Sequence, residues 1–426
     1  MNNKELIKNI KTTEAIRHQC EKVLKLSEKD KLSAFSYNPE KLHLAVDFVG
    51  ELIKENYPDY NVPYHSRWRH FDDRRLNDLD KKMKDFDEKD KAKTRIELAI
   101  VSVLLDAGAG MKWRYKDEKG EVTKMSEGLA AASFDMFMKG DFSYYKNKSK
   151  LIFRNSSPNW SIPRTTDNEK LRADASALKN LSENSLKKSL QVSDENPLNG
   201  FEGRLSLLRK LGDAVASKKE VFGSSDQRLG NILDYILLKE KNGEVSALDI
   251  LDSVLHGLGS IWPGRISIDG HNLGDVWTLP YMEKDEKYGG LIPFHKLSQW
   301  LSYSLVEPIE WMGIKVTDVD KMTGLAEYRN GGLFVDLGII VPKDKSIIEN
   351  AHAPGSEVIV EWRALTVCLL DKVADGIRSS LGKSPEDLPL AKVLQGGTWL
   401  AGRRLAAGKR SDGGPPIKIK SDGTVF

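Results

Sequence analysis

Apolar residues at helical spacing recur along this chain far more often than alternating ones, and that periodicity sets the fold class. Ile96, Ala99, Ile100, Val103 and Leu104 share one helix face, because residues three and four apart meet on a 3.6-residue turn. That helix is expected to stop at Gly108 and Gly110, where glycine suits a C-terminal cap. Leu42, Leu44, Ala45, Phe48, Val49 and Leu52 mark a helix over 40–56, and Leu297, Trp300, Leu301 and Leu305 mark another. Residues 3–29, 125–138, 201–240, 246–258 and 364–381 read as further helices, the last ending at Gly382. Strand signals are few: a hairpin over 111–124 turning at Asp117–Gly120, and the Val/Ile-rich runs 333–341 and 357–362. The expected class is mainly α with a few short β-strands (α+β).

The run 72–95 is crowded with Asp, Lys and Arg and reads as a solvated helix or loop. Residues 155–200 are rich in Ser, Asn, Lys and Asp and read as the connector between two halves, 1–195 and 196–426. Residues 261–288 form an irregular aromatic stretch. The tail from Gly396 reads either as a wrapping loop or as a frayed end.

Charged residues make up 30% of the 426, yet the signs cancel to a net charge of +3. That balance excludes a dedicated nucleic-acid binder, which carries a basic excess, and leaves room for a local anion pocket. Cys20 and Cys368 are the two cysteines. They make neither a disulfide framework nor a zinc motif. The eight histidines show no ligand spacing beyond His65 and His70, so no metal and no cofactor is expected. The charged start of the chain lacks a signal-peptide core, and no apolar run is long enough for a bilayer. The expected setting is cytoplasmic, with no membrane partner. HExxH, GxSxG and EF-hand patterns are missing, and the P-loop-like run from Gly376 to Ser384 has one residue too many between its glycines.

Four clusters could carry chemistry. In the first, His65, Arg67, Trp68, Arg69 and His70 are consecutive or nearly so; an extended strand would turn Arg67 and Arg69 to one face, toward an anion or toward acidic neighbours. In the second, His295 and Lys296 open an apolar helix. A cation in the first turn opposes the helix dipole, so its placement points to an anionic ligand rather than to helix stability. The third runs from Asp318 and Asp320 to Glu327, Tyr328, Arg329 and Asn330, against Gly331 and Gly332, which would let backbone approach a ligand. The fourth is Glu361, Trp362 and Arg363 at an expected strand-to-helix junction, where Arg363 could reach an anion. Each could equally be a structural ion pair.

These places resemble a known family. HSRWRHF at 65–71, SVLLDAGAGMKW at 102–113, SEGLAAAS at 126–133 (with Glu127), LIPFHKLSQWLSYSLVEP at 291–308, TGLAEYRNGGLFVD at 323–336, EWRALTV at 361–367, LPLAKVLQGGTWLAGR at 388–403 and the terminal SDGTVF are similar to the uracil-catabolism (URC pathway) family of fungi and bacteria. A more distant likeness is to queuosine-salvage nucleosidases, whose Phe-Tyr-Lys-Arg-Ala-Gln, Asp-Tyr-Arg and Glu-Ile-Arg runs are similar to Phe294–Gln299, Glu327–Arg329 and Glu361–Arg363. That likeness implies a helical core like that of DNA glycosylases, without DNA binding. It also implies cleavage of an N-glycosidic bond, with Glu327 in the place of the catalytic aspartate. Glu327 is one methylene longer, and Asn330-Gly331-Gly332 replaces Val-Pro-Gln, so the leaving-group contacts differ.

The two resemblances imply a hydrolase that cleaves ribosylurea, or its 5-phosphate, to urea and the ribose product. Glu327, Lys296, Asp318 and Asp320 form the expected catalytic set within segment 291–367, with Asp318, Asp320 and His295 as alternative proton donors. Lys296, Arg363, Arg67 and Arg69 would clamp a phosphate. His65, Glu127, Trp277, Tyr328, Arg329, Asn330, Glu361 and Trp362 complete the expected contacts with a small ribosyl substrate. Two other readings are an amidohydrolase acting on the urea carbonyl and a non-catalytic scaffold for pathway enzymes.

Overall fold

The computed structural model describes residues 2–144, 171–282 and 287–420. Residues 155–170 of the expected 155–200 connector and the terminal SDGTVF lie outside them. The chain is mainly α: helices pack on one another, and the strands among the described residues form six two-stranded sheets. One large cluster of buried side chains runs from Ile16 to Ile417 and draws on every major helix. No helix among the described residues is long and apolar enough to cross a membrane.

The helix Lys296–Trp311 is central, and every residue from Lys296 to Val306 is buried. A helix enclosed on most faces needs apolar or internally satisfied side chains all round. Its serines meet that need by donating back along the helix, Ser302 to the Ser298 carbonyl (2.8 Å) and Ser304 to that of Trp300 (2.9 Å). It packs on Glu88–Leu105, while Tyr328–Asp336 packs on Trp399–Lys409, and Glu357–Leu381 lies against Thr13–Ser27 and Leu42–Asn56.

Several expectations are corrected. Residues 333–341 begin inside the helix Tyr328–Asp336 and only Ile340–Pro342 is strand, paired antiparallel with Phe35–Tyr37. Residues 357–362 open the helix Glu357–Leu381, so Arg363 lies in its second turn rather than at a junction. Residues 3–29 are two helices, Asn3–Asn9 and Thr13–Ser27. The helix before Gly108 ends at Leu105, with Asp106 as its cap. Arg67–His70 is a single 3-10 turn, so Arg67 and Arg69 do not share a strand face. The run 72–95 is not simply solvated: Arg75 is buried and pairs with Asp72, Asp117 (3.2 Å) and Asp135 (3.2 Å). The hairpin Arg114–Lys116/Val122–Lys124, the helix Met125–Met138 and the left-handed Gly382 cap match the sequence reading.

Gly331 serves helix packing, and Gly332 makes room for Pro416 of the C-terminal segment. A Cβ on Gly331 would sit 2.7 Å from Trp362 and Thr366 of the neighbouring helix. Gly402 is tighter still, since its Cβ would fall 2.0 Å from the Arg329 carbonyl oxygen. Backbone cannot give way like a side chain, so Gly402→Ala is expected to lower unfolding free energy by about 2–3 kcal/mol, the scale of overpacking. Denaturant titration checks this, and an unchanged midpoint would contradict so close a crossing.

Candidate functional site

The site is built from the starts of two helices, and Asp275 is what sets the first. The pair Val276–Thr278/Leu291–Pro293 brings Asp275 beneath the start of Lys296–Trp311. Its backbone oxygen accepts the Phe294 N–H (2.9 Å) and its Oδ2 accepts that of Lys296 (3.1 Å), an anion where the helix dipole favours one. Arg363 grips the same carboxylate with two bonds of 2.7 Å, and Trp277 Nε1 adds a third at 2.7 Å. Burial opposes the charge, but these donors, Arg363 above all, hold Asp275 well below the usual carboxylate range. Arg363 Nε also donates to the Ala326 carbonyl (3.2 Å), so one guanidinium fixes the chain just ahead of both Lys296 and Glu327.

Glu327 is the N-cap of Tyr328–Asp336. Its oxygens accept the backbone N–H groups of Arg329 (2.8 Å) and Asn330 (2.6 Å), which would otherwise lack partners at a helix start. Burial raises its proton affinity, while the Lys296 charge and those two N–H groups act against the rise. Lys296 shows the converse: burial lowers it from the ordinary 10.5, against the pull of Glu327. Its Nζ makes no hydrogen bond among the described residues and lies 6.0 Å from the centre of the Trp300 ring.

Both side chains line a cavity of about 730 Å³, within the range of small-molecule sites. Of the expected residues, His65, Glu127, Lys296, Glu327, Tyr328 and Arg329 line it. The others stand elsewhere. Arg67 is fully buried and pairs with Asp106, and Arg69 pairs with Glu307 (2.5 Å). His295 bonds through Nε2 to the Ile10 carbonyl (3.1 Å). Asp318 pairs with Lys321 (2.7 Å), and Asp320 lines a separate groove with Arg17 and Asp371. Asn330 is spanned by Leu325 and Thr398. Glu361 holds the backbone of Ser33 and Ala34 (2.9 Å each) and the Tyr281 hydroxyl. Trp362 packs on Gly331, and Trp277 covers Gly355. Arg363 and Trp277 thus support the site through Asp275 without facing the cavity.

Sequence reasoning missed Asp106, Ser126, Trp300, Trp399 and Arg403, which line the same cavity. His65 and His70 each sit 6.0–6.5 Å from both Trp300 and Trp399, making a four-ring wall. Burial drops His65 to about 4 and His70 to about 3, so both are neutral at pH 7. The expected tail opens with the helix Trp399–Lys409, and residues 410–419 follow as an ordered strap: Arg410 grips Asp336 (2.7 and 2.6 Å), Arg329 donates to the Gly413 carbonyl (2.7 Å), and Lys418–Ile419 pairs with Ala351–His352. Gly413, Gly414 and Pro415 close one side of the cavity.

Fold and site together define a mainly α protein with a half-open pocket, in which a buried ammonium and a buried carboxylate face one space. The chain belongs to the family described as a protein of unknown function (DUF1688), matched over residues 9–157 and 159–426. It is 37% identical over 432 aligned residues to Protein urg3 of Schizosaccharomyces pombe, covering 99% of each chain. It is 36% identical over 428 residues to Uracil catabolism protein 4 of Lachancea kluyveri, covering 92% of each.

Proposed function

We propose that this protein acts in uracil catabolism as an N-glycosidic hydrolase, cleaving ribosylurea or its 5-phosphate to urea and ribose or ribose 5-phosphate. The name of the Lachancea kluyveri relative supports the pathway. The observation that carries the chemistry is that the buried side chains of Lys296 and Glu327 line one cavity. Burial makes the ammonium a stronger acid and the carboxylate a stronger base, the direction acid–base catalysis needs near neutrality.

Departing urea needs a proton, and Lys296 Nζ holds one with no hydrogen bond to break. Positive charge builds on the ribosyl ring as the C–N bond lengthens. Glu327 stabilises that charge and takes a proton from the attacking water. Asp318, Asp320 and His295 do not line the cavity, which leaves Lys296 as the donor in this reading. A 5-phosphate would meet Arg329 and, in exchange for its Glu127 partner (2.8 Å), Arg403, because these two arginines line the cavity and Arg67, Arg69 and Arg363 do not. Trp300 and Trp399 limit water around the reacting bond.

Incubating the purified protein with ribosylurea, with and without the 5-phosphate, and assaying urea tests the proposal. Intact urea is the expected product. Ammonia and carbon dioxide in its place would mean attack at the urea carbonyl, and no turnover would remove the hydrolase reading. The pH profile is a second check. Glu327 must be ionised and Lys296 protonated, so kcat falls as pH drops through a value above the ordinary 4.5 of Glu and again as it rises through one below 10.5. An acid limb at or below 4.5 would speak against Glu327 as the base.

A further inference from the structure

Asp106 lines the cavity with Lys296 and Glu327, yet nothing so far gives it work. It caps the C-terminal end of Glu88–Leu105, where the helix dipole disfavours a negative charge. Something must compensate, and it is Arg67. That guanidinium is fully buried and donates to Asp106 Oδ2, to Ser102 Oγ (2.6 Å) and, at 3.4 Å, to Ser126 Oγ. The Arg67 backbone is pinned by Ser304 Oγ (2.9 Å), and Ser102 in turn bonds Ser133 (2.6 Å). Ser126 donates to the same Oδ2. The Arg67 and Ser126 bonds to Asp106 thus converge on one oxygen. No hydrogen-bond partner is found for Oδ1 among the described residues.

Burial opposes ionisation, but Arg67 outweighs it and keeps the carboxyl charged. The result is a fixed anion with one open oxygen in a cavity, backed by an arginine that no ligand can reach. Such an oxygen takes hydroxyl or N–H donors. A ribosylurea offers both, and electrostatics chooses between them. The departing ureido group gains electron density as the bond breaks, so an anion beside it would slow the reaction. The ribosyl ring gains positive charge, so an anion beside it helps, and hydrogen bonds to the 2-hydroxyl strengthen in such transition states.

We infer that Asp106 binds the vicinal ribosyl hydroxyls through Oδ1 and makes the site selective for ribosyl over 2-deoxyribosyl compounds. This rests on the ribosyl reading of the cavity given above. Arg67 is then a positioning residue, acting through Asp106. A hydrogen bond to a charged group sets the expected preference at roughly 10- to 100-fold.

The test is calorimetric titration of ribose 5-phosphate and 2-deoxyribose 5-phosphate into the full chain. The unaltered protein is expected to favour ribose 5-phosphate by that factor, and Asp106→Asn to reduce the preference to within about threefold by weakening ribose 5-phosphate alone. Asp106→Asn leaves Arg67 without a charge partner, so Arg67→Met combined with Asp106→Asn is measured beside it and should lose the same preference. Equal affinity of the unaltered protein for the two sugars overturns the inference, as does a folded variant that keeps the preference. If urea is released from ribosylurea and the two sugars still bind equally, the inference falls and the hydrolase stands. If no urea is released and neither sugar binds, both fall.

Discussion

Glu327→Gln is expected to bind substrate but release urea at least about 100-fold more slowly, the usual scale for losing a general acid or base. The substitution keeps volume and length, so the cavity keeps its shape. It does touch the fold, because Glu327 accepts the N–H groups of Arg329 and Asn330. A glutamine has one acceptor oxygen for those two donors, and the lost cap bond costs about 1 kcal/mol of stability. That small loss separates two roles. If Glu327 were only a cap, the variant would show the same modest destabilisation with near-normal turnover per folded molecule. If it is the base, the rate falls far beyond any change in folded fraction. Single-turnover urea release, measured with a denaturant titration of the same sample, decides between them.

The fold class was legible because most buried helices here keep an apolar stripe of period 3.6. Leu42–Asn56 and Lys296–Trp311 were placed from such stripes. The reading failed where a buried run is rich in β-branched residues. The helix Glu357–Leu381 buries Ile359, Val360, Glu361, Trp362 and Arg363 in succession, so its opening EVIVEW shows no helical stripe. A short run of valine and isoleucine is then read as strand, and tertiary packing overrides that preference. The same applies to LFVDLGIIV, and just before it Gly331 and Gly332, read as ligand-approach glycines, instead let Trp362 and Thr366 (Gly331) and Pro416 (Gly332) sit close.

The site was legible in part, and for a physical reason. Lys296 stood out as a cation in a helix first turn, against the dipole. The same rule applied to the other end of a helix would have flagged Asp106, an anion at a C-terminal cap just after the apolar stripe of Glu88–Leu105. Arg67, Arg69 and Arg363 looked like anion ligands because a single sequence shows the guanidinium and not the carboxylate that faces it. Their partners Asp106, Glu307 and Asp275 come from other segments. Trp399 and the strap of Gly413 to Ile419 reach the cavity only through tertiary packing, so no local pattern announced them.

Lys296→Met is expected to lower activity far more than stability. Lysine and methionine are similar in length, and Met fills irregular apolar space well. The ammonium it replaces is buried and makes no hydrogen bond among the described residues, with the charges of Glu327, Asp106 and Asp275 and the Trp300 face to offset its lost hydration. Removing it relieves the ammonium's desolvation but takes a compensating charge from buried Glu327, so stability should change little. Turnover should fall by about 10²- to 10³-fold, because no proton is supplied to the departing urea. The pH profile should change shape as well. The alkaline limb disappears with its titrating group, and the acid limb moves upward because Glu327 loses the positive charge that favours its ionised form. A lysine held only for structure would give the reverse pattern, with stability lost and the alkaline limb intact. Finding that limb unchanged in Lys296→Met would assign the proton to another group and leave Lys296 as an anion ligand.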